Sequence, residues 1–145
     1  MNTRDVRVAY PTALWLSGRR SCIAMSCTEE SEACQVGQAL LHQNTGVLIT
    51  YRSATELIHN APNGAIAMVI LAGRECSTEM HEVFDWLKRR HPHCPTAVIA
   101  DAGAGDEELA ARIGGAIFMT RPMDDDQWSA LLTVATARGL QGNVL

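Results

Sequence analysis

The segment Ala65-Ile66-Ala67-Met68-Val69-Ile70-Leu71-Ala72 is apolar at every position. A strand with no polar alternation has no face to offer to water, so both of its faces must be covered. Helices on the two faces of a parallel sheet provide that cover, and they call for strands and helices in alternation along the chain. The segment is strand length, and no apolar run approaches the ~20 residues of a membrane-spanning helix.

The rest of the chain supplies the alternation. Strands are expected at residues 22–26, 46–51, 65–72, 96–100 and 116–120, marked by β-branched and apolar content between turn residues. Thr28 or Ser31 is expected to cap the first helix, whose apolar positions Ala33, Val36, Leu40 and Leu41 recur at helical spacing. Ser53 caps a short helix over 54–59, and a third helix over 78–90 carries Met80, Val83, Phe84 and Leu87 on one side. A fourth covers 106–113 and stops at Gly114-Gly115; a fifth, capped by Asp124 or Asp125, carries Trp128, Leu131, Leu132, Val134 and Ala135 and is expected to stop at Gly139. The expected fold is α/β: a doubly wound, five-stranded parallel sheet with helices on both faces, flavodoxin-like. Residues 1–19 read as an N-terminal arm with a candidate strand at 6–10 and an apolar Trp15, residues 20–139 as the domain, and 140–145 as a tail or the start of a linker.

Composition narrows the function. At 145 residues the chain is one domain, and a net charge of -4 without a basic stripe gives it no electrostatic means of holding nucleic acid directly. The segment Ser26-Cys27-Thr28-Glu29-Glu30 after the first strand has no glycine, so no dinucleotide or nucleoside triphosphate cradle forms there. Five cysteines are an odd number in a chain large enough to fold without staples; they read as thiols packing as small apolar fillers, with Cys27 at a strand end the one candidate reactive thiol. His91-Pro92-His93-Cys94 gathers ligand types without a second ligand group at a recognised spacing, and no metal is expected. No signal-peptide pattern opens the chain; a cytoplasmic location, no membrane association and no cofactor are the expectations.

The stretch Gly114-Gly115-Ala116-Ile117-Phe118-Met119-Thr120-Arg121-Pro122 ends the fifth strand with one cation and a proline. With Gly46-Val47 opening the second strand, Arg89-Arg90-His91-Pro92 closing the third helix and Pro95 before the fourth strand, it resembles the receiver domain of bacterial two-component response regulators, over about residues 20–139. The resemblance implies a magnesium ion held between paired acids after the first strand and a phosphoacceptor aspartate ending the third, with a hydroxyl and a lysine completing the pocket. Ala72 falls on the phosphoacceptor position and Ala100, beside Asp101, on the hydroxyl position; Arg121 replaces the lysine and Phe118 takes the aromatic switch position. The paired acids fall on residues 26–28 counted from the strand, or on Glu29 and Glu30 counted from the helix.

The resemblance therefore implies an atypical pseudo-receiver, independent of phosphorylation and with no catalytic residue. Its expected role is a regulatory protein-interaction or dimerisation module, for example the N-terminal domain of a transcriptional regulator whose output domain would bind DNA. The expected partner is a second copy or another regulatory protein. Candidate interface residues are Trp15, Arg112, Asp124, Asp125 and Trp128. Arg121 is expected either to clamp a carboxylate such as Glu29, Glu30 or Asp101, or to serve a small-ligand or anion sensor; a flavodoxin-like or thiol-dependent enzyme is the remaining alternative.

Overall fold

The computed structural model describes residues 7–8, 21–43, 46–62 and 64–144, with side chains at 22–43, 46–62 and 64–135. Trp15 lies outside the described residues, as does most of the arm to which it was assigned. The elements are β1 (Arg7–Val8), β2 (Ser21–Cys27), α1 (Glu30–Gln43), β3 (Val47–Tyr51), α2 (Ala54–His59), β4 (Ala65–Ala72), α3 (Ser77–Arg90), β5 (Thr96–Ala100), α4 (Gly105–Ile113), β6 (Ile117–Thr120) and α5 (Asp125–Val144). The sheet runs β1-β3-β2-β4-β5-β6, and β2 to β6 are the expected five parallel strands. β1 adds a sixth at the edge, antiparallel to β3 through Arg7 opposite Thr50 and Val8 opposite Ile49.

β4 is as enclosed as its composition demands: Met68 through Ala72 have no exposed surface. Full burial of a side chain such as Met68, Ile70 or Leu71 stabilises the fold by roughly 1.5–3 kcal/mol. The strand serves two cores. Met68, Ile70 and Ala72 pack with Val36 and Leu40 of α1 and Trp128, Leu131 and Leu132 of α5. Ile66, Val69 and Leu71 pack on the other face with Leu57 of α2, Met80, Val83 and Leu87 of α3 and Ala111 of α4. Ile66 joins the odd-numbered residues because pairing with β2 skips Ala67 at an irregularity, which resets the alternation.

The helix ends follow local chemistry. Ser53 Oγ accepts from Glu56 N at 3.1 Å, as a capping serine does. α1 begins at Glu30, so Ser31 lies inside its first turn rather than capping it; the Glu29 carbonyl accepts from Glu32 N at 3.1 Å. Asp124 caps α5 reciprocally: its Oδ1 accepts from Gln127 N at 2.8 Å while Gln127 Oε1 accepts from Asp124 N at 2.9 Å.

α5 does not stop at Gly139, as expected, but runs to Val144, so residues 140–144 are helical. A glycine inside a helix costs about 1 kcal/mol relative to alanine, and Gly139 and Gly142 together do not end a helix already seated on the sheet through its first three turns.

Trp128 is likewise corrected. It has no exposed surface, and its indole Nε1 donates to Gln35 Oε1 at 2.9 Å, because position 128 falls on the same helical stripe as Leu131, Leu132 and Ala135. It belongs to the core and cannot anchor a surface contact. Trp86 is also buried and leans on the His91 ring, with centroids 5.4 Å apart.

Candidate functional site

In an open α/β sheet the strand order reverses between two neighbours, and the crevice at their carboxyl ends is where side chains from different loops converge. Here the reversal lies between β2 and β4. Thr28 and Glu29 follow β2, Gly73 to Glu75 follow β4, Asp101 follows β5, Arg121 follows β6, and Glu32 reaches in from the first turn of α1.

Two guanidinium groups organise this edge. Arg121 forms a fork with Glu32, Nε to Oε2 at 2.8 Å and Nη2 to Oε1 at 3.2 Å. Its Nη2 also donates to the Ala72 carbonyl at 2.5 Å and its Nη1 to Asp101 Oδ1 at 3.4 Å. The Arg121 and Glu32 side chains are each only 9% exposed, so this pair is desolvated. Arg74 is 42% exposed and lies over the crevice, donating to Glu29 Oε2 at 2.6 Å, Thr28 Oγ1 at 3.1 Å and Asp101 Oδ2 at 2.9 Å. Its backbone takes φ 57, an uncommon conformation for a residue with a side chain.

The Arg74 guanidinium, with Arg121 adding to it, holds the Asp101 carboxyl below its usual range. Glu107 sits at the margin, its Oε2 buried without a hydrogen-bond partner among the described residues. Burial, then the Asp101 charge, pushes its pKa up. Three carboxylates, Glu29, Glu32 and Asp101, face two guanidinium groups, so the crevice is not an electropositive receptor for an anion.

A further acid lies deeper. Glu75 is 3% exposed; Ser26 Oγ donates to its Oε2 through a short hydrogen bond and Gly73 N donates to its Oε1 at 3.2 Å. The carboxyl folds back beneath Gly73: a Cβ at position 73 would lie 2.7 Å from Glu75 Oε2, so only glycine leaves that space to it. Burial is the largest influence on this carboxyl and raises its pKa, against the opposing pull of Ser26 and the backbone donors.

A pKa raised on folding stabilises the protein fully below the unfolded value, about 4.3 for glutamate, and that contribution is lost as pH rises through the folded value. Glu75→Gln, with its amide oxygen toward Gly73 and its NH2 toward Ser26, should therefore be more stable than the parent at pH 7 and equal to it near pH 4. Urea unfolding at the two pH values checks this; a less stable variant at pH 7 would show that the ionised form is the favoured one.

The sequence had placed Ala72, Ala100, Asp101 and Arg121 at this edge, and the structure brings them together. Glu29 is present, but as the partner of Arg74. Glu30 is an exposed residue of α1. Glu32 and Arg74 had not been singled out. Phe118 is partly buried against the core on the α3 and α4 side. Arg112 pairs with Glu108 within α4 at 2.6 Å, and Asp124 is occupied in capping α5. Burial pushes the Cys22 thiol up to about 11 and that of Cys94 to about 12, as befits apolar fillers. Among the described residues no group of three or more His, Cys, Asp or Glu is arranged to hold a metal ion, and no helix is long and apolar enough to cross a membrane.

No protein-family model matches the chain, and no curated protein matches it. Solved structures do. The signal receiver domain of an HD domain-containing protein from Pseudomonas fluorescens Pf-5 superposes with a TM-score of 0.68 at 18% identity, covering 88% of this chain and 95% of that one. The beryllofluoride-activated NtrC4 receiver domain dimer gives 0.64 at 19% identity, covering 82% and 96%. Full-length FixJ from B. japonicum gives 0.67 at 16% identity, covering 83% of this chain and 59% of that one. At these identities the likeness is one of fold.

Proposed function

Since the chain carries a receiver-domain fold, we propose that it is a pseudo-receiver: a regulatory interaction module that works without phosphoryl transfer. One observation carries this reading. The acids at the carboxyl edge, Glu29, Glu32 and Asp101, are bonded by the side chains of Arg74 and Arg121, while the strand ends present Ala72, Gly73 and Ala100.

A receiver that accepts phosphate needs a nucleophilic carboxylate and acids free to bind a hard divalent cation. The donor set here does not fit magnesium. A guanidinium already bridges the carboxylates that follow β2 and β5, and Ala72 and Gly73 offer no nucleophile where β4 ends. Incubation with acetyl phosphate and magnesium should leave the intact mass unchanged, and beryllofluoride with magnesium should leave the amide spectrum unchanged. An added phosphoryl group of acyl-phosphate lability would sink the proposal.

Without a phosphoryl switch, signalling rests on assembly. The interface we favour is the face of α4, β6 and α5, used between two copies. Leu109 and Ile113, one helical turn apart on α4, are 60% and 67% exposed, unusual for large apolar side chains unless something covers them. The Glu108–Arg112 pair lies beside them, giving an apolar centre with a charged rim. A receiver dimer is known for NtrC4, and the receiver fold occupies part of a longer chain in FixJ, which suits a role as one half of a regulator. Leu109→Glu with Ile113→Glu should shift sedimentation toward the monomer while leaving the unfolding midpoint nearly unchanged. A parent protein that sediments as a monomer at high micromolar concentration would remove the dimer from the proposal.

A further inference from the structure

At the end of the sheet opposite the arginine cluster, a cleft of about 300 Å³ opens between the carboxyl end of α3, the loop into β5, the α4–β6 turn and α5. Its floor is apolar: Phe84, Leu87, Ile117 and Val134, drawn from both faces of the sheet where it wraps around the amino ends of β5 and β6. Its rim carries Lys88 and His93, and among the described residues no Asp or Glu lines it. That is the reverse of the protein as a whole, which carries a net charge of -4, and of the acid-rich edge described above.

The cleft owes its shape to the α4–β6 turn. A Cβ at Gly114 would collide with the Phe84 ring, so glycine lets the turn close directly over that ring. Gly115, at φ 76, has nothing within 4 Å of where a Cβ would stand, leaving the mouth open on that side. The volume is at the lower end of the range of small-molecule sites, and polar groups of the α3 exit and the loop into β5 share the lining with the apolar floor.

We infer that this cleft binds a small amphipathic carboxylate, an anion with a flat or branched apolar body, its carboxylate meeting Lys88 and its body lying on Phe84, Leu87, Ile117 and Val134. A free inorganic anion would leave the apolar floor unused, and a neutral apolar molecule would leave the lysine without a partner. His91 also lines the cleft, but burial and the neighbouring Arg90 lower its pKa, so Lys88 supplies the fixed charge at neutral pH. The Cys94 thiol, pushed up to about 12 by burial, stays protonated and adds surface rather than a nucleophile. This site is separate from the arginine cluster and does not depend on the pseudo-receiver reading; it gives the module a place for a chemical signal to enter.

The test is a titration of the full chain with benzoate, followed in an amide correlation spectrum, with benzamide and inorganic phosphate as matched probes. Benzoate should move the amides of Cys94, Gly114, Gly115 and Ile117, benzamide should do so at least about tenfold more weakly, and phosphate should not move them, as expected when a charge-assisted hydrogen bond supplies the discrimination. Lys88→Glu, a change at an exposed position, should abolish the shifts, and Lys88→Arg should restore binding to within about threefold, since a bidentate cation serves a carboxylate equally well. Equal response to benzamide, an unchanged affinity in Lys88→Glu, shifts that gather around Arg74 and Arg121 instead, or no response at tens of millimolar benzoate would each overturn the assignment.

Discussion

Arg121→Ala should lower the unfolding free energy by about 3–5 kcal/mol, the range seen when one partner of a buried ion pair is removed. The loss does not measure the attraction alone. Glu32, at 9% side-chain exposure, would be left as an uncompensated charge, and the Ala72 carbonyl would lose its donor. Domains of this size are stable by only about 5–15 kcal/mol, so the variant should be close to unfolding at 37 °C. Arg121→Lys should fall between, because an ammonium cannot form the fork that spans both Glu32 oxygens and the Ala72 carbonyl. Arg121→Met combined with Glu32→Met should recover most of the loss, since an apolar pair of similar volume leaves no buried charge without its partner. Arg74→Ala is the contrast: its partners are 42% and 50% exposed, and exposed pairs contribute about 1 kcal/mol or less. Chemical denaturation of the four variants decides the matter. A loss below about 1 kcal/mol for Arg121→Ala would mean that water screens the pair as it screens an exposed one.

That contrast also marks where the sequence could be read. The parallel sheet was legible because its signals are local: a β4 with no polar position, Ser53 poised before a helix, glycines after α4. Gly139 was misread by the same local logic, since a glycine costs too little to end a helix whose earlier turns are anchored on the sheet. The arginine cluster was legible at Arg121, where a cation follows an apolar strand, and Asp101 was among its expected partners, but the carboxylate it forks was not. Counting from β2 or from α1 pointed to residues 26–30, whereas the fork closes on Glu32. A signal for Glu32 existed. It shares a helical stripe with Val36, Ala39 and Leu40, all buried, and a carboxylate on an apolar stripe demands a buried partner from elsewhere in the chain. Glu75 and Arg74 had no such signal. Ser26 meets Glu75 only because β2 and β4 pair in parallel, and the positive φ that turns Arg74 across the crevice is a property of the folded loop.

Trp128→Ala should cost about 3–5 kcal/mol, as expected for emptying a buried aromatic site that its surroundings can only partly fill. The indole packs among Leu131, Leu132, Met25 and Ile70 at the junction of α5 with the sheet, and its removal would also take the donor from Gln35. Trp128→Phe should cost less, keeping a ring in the space while losing that hydrogen bond; Gln35 is half-buried and can turn its amide to water. The result bears on assembly because the same helix contributes to the face proposed for pairing. A core residue changes the unfolding midpoint and leaves the association constant of the folded fraction alone, whereas Leu109→Glu with Ile113→Glu should do the opposite. Sedimentation and denaturation measured on both sets of variants separate the inward side of the α4, β6 and α5 layer, which holds the sheet, from the outward side, which is proposed to pair. Trp128→Ala protein that keeps its stability to within about 1 kcal/mol but no longer pairs would reverse the assignment, making the indole a contact between copies rather than part of the core.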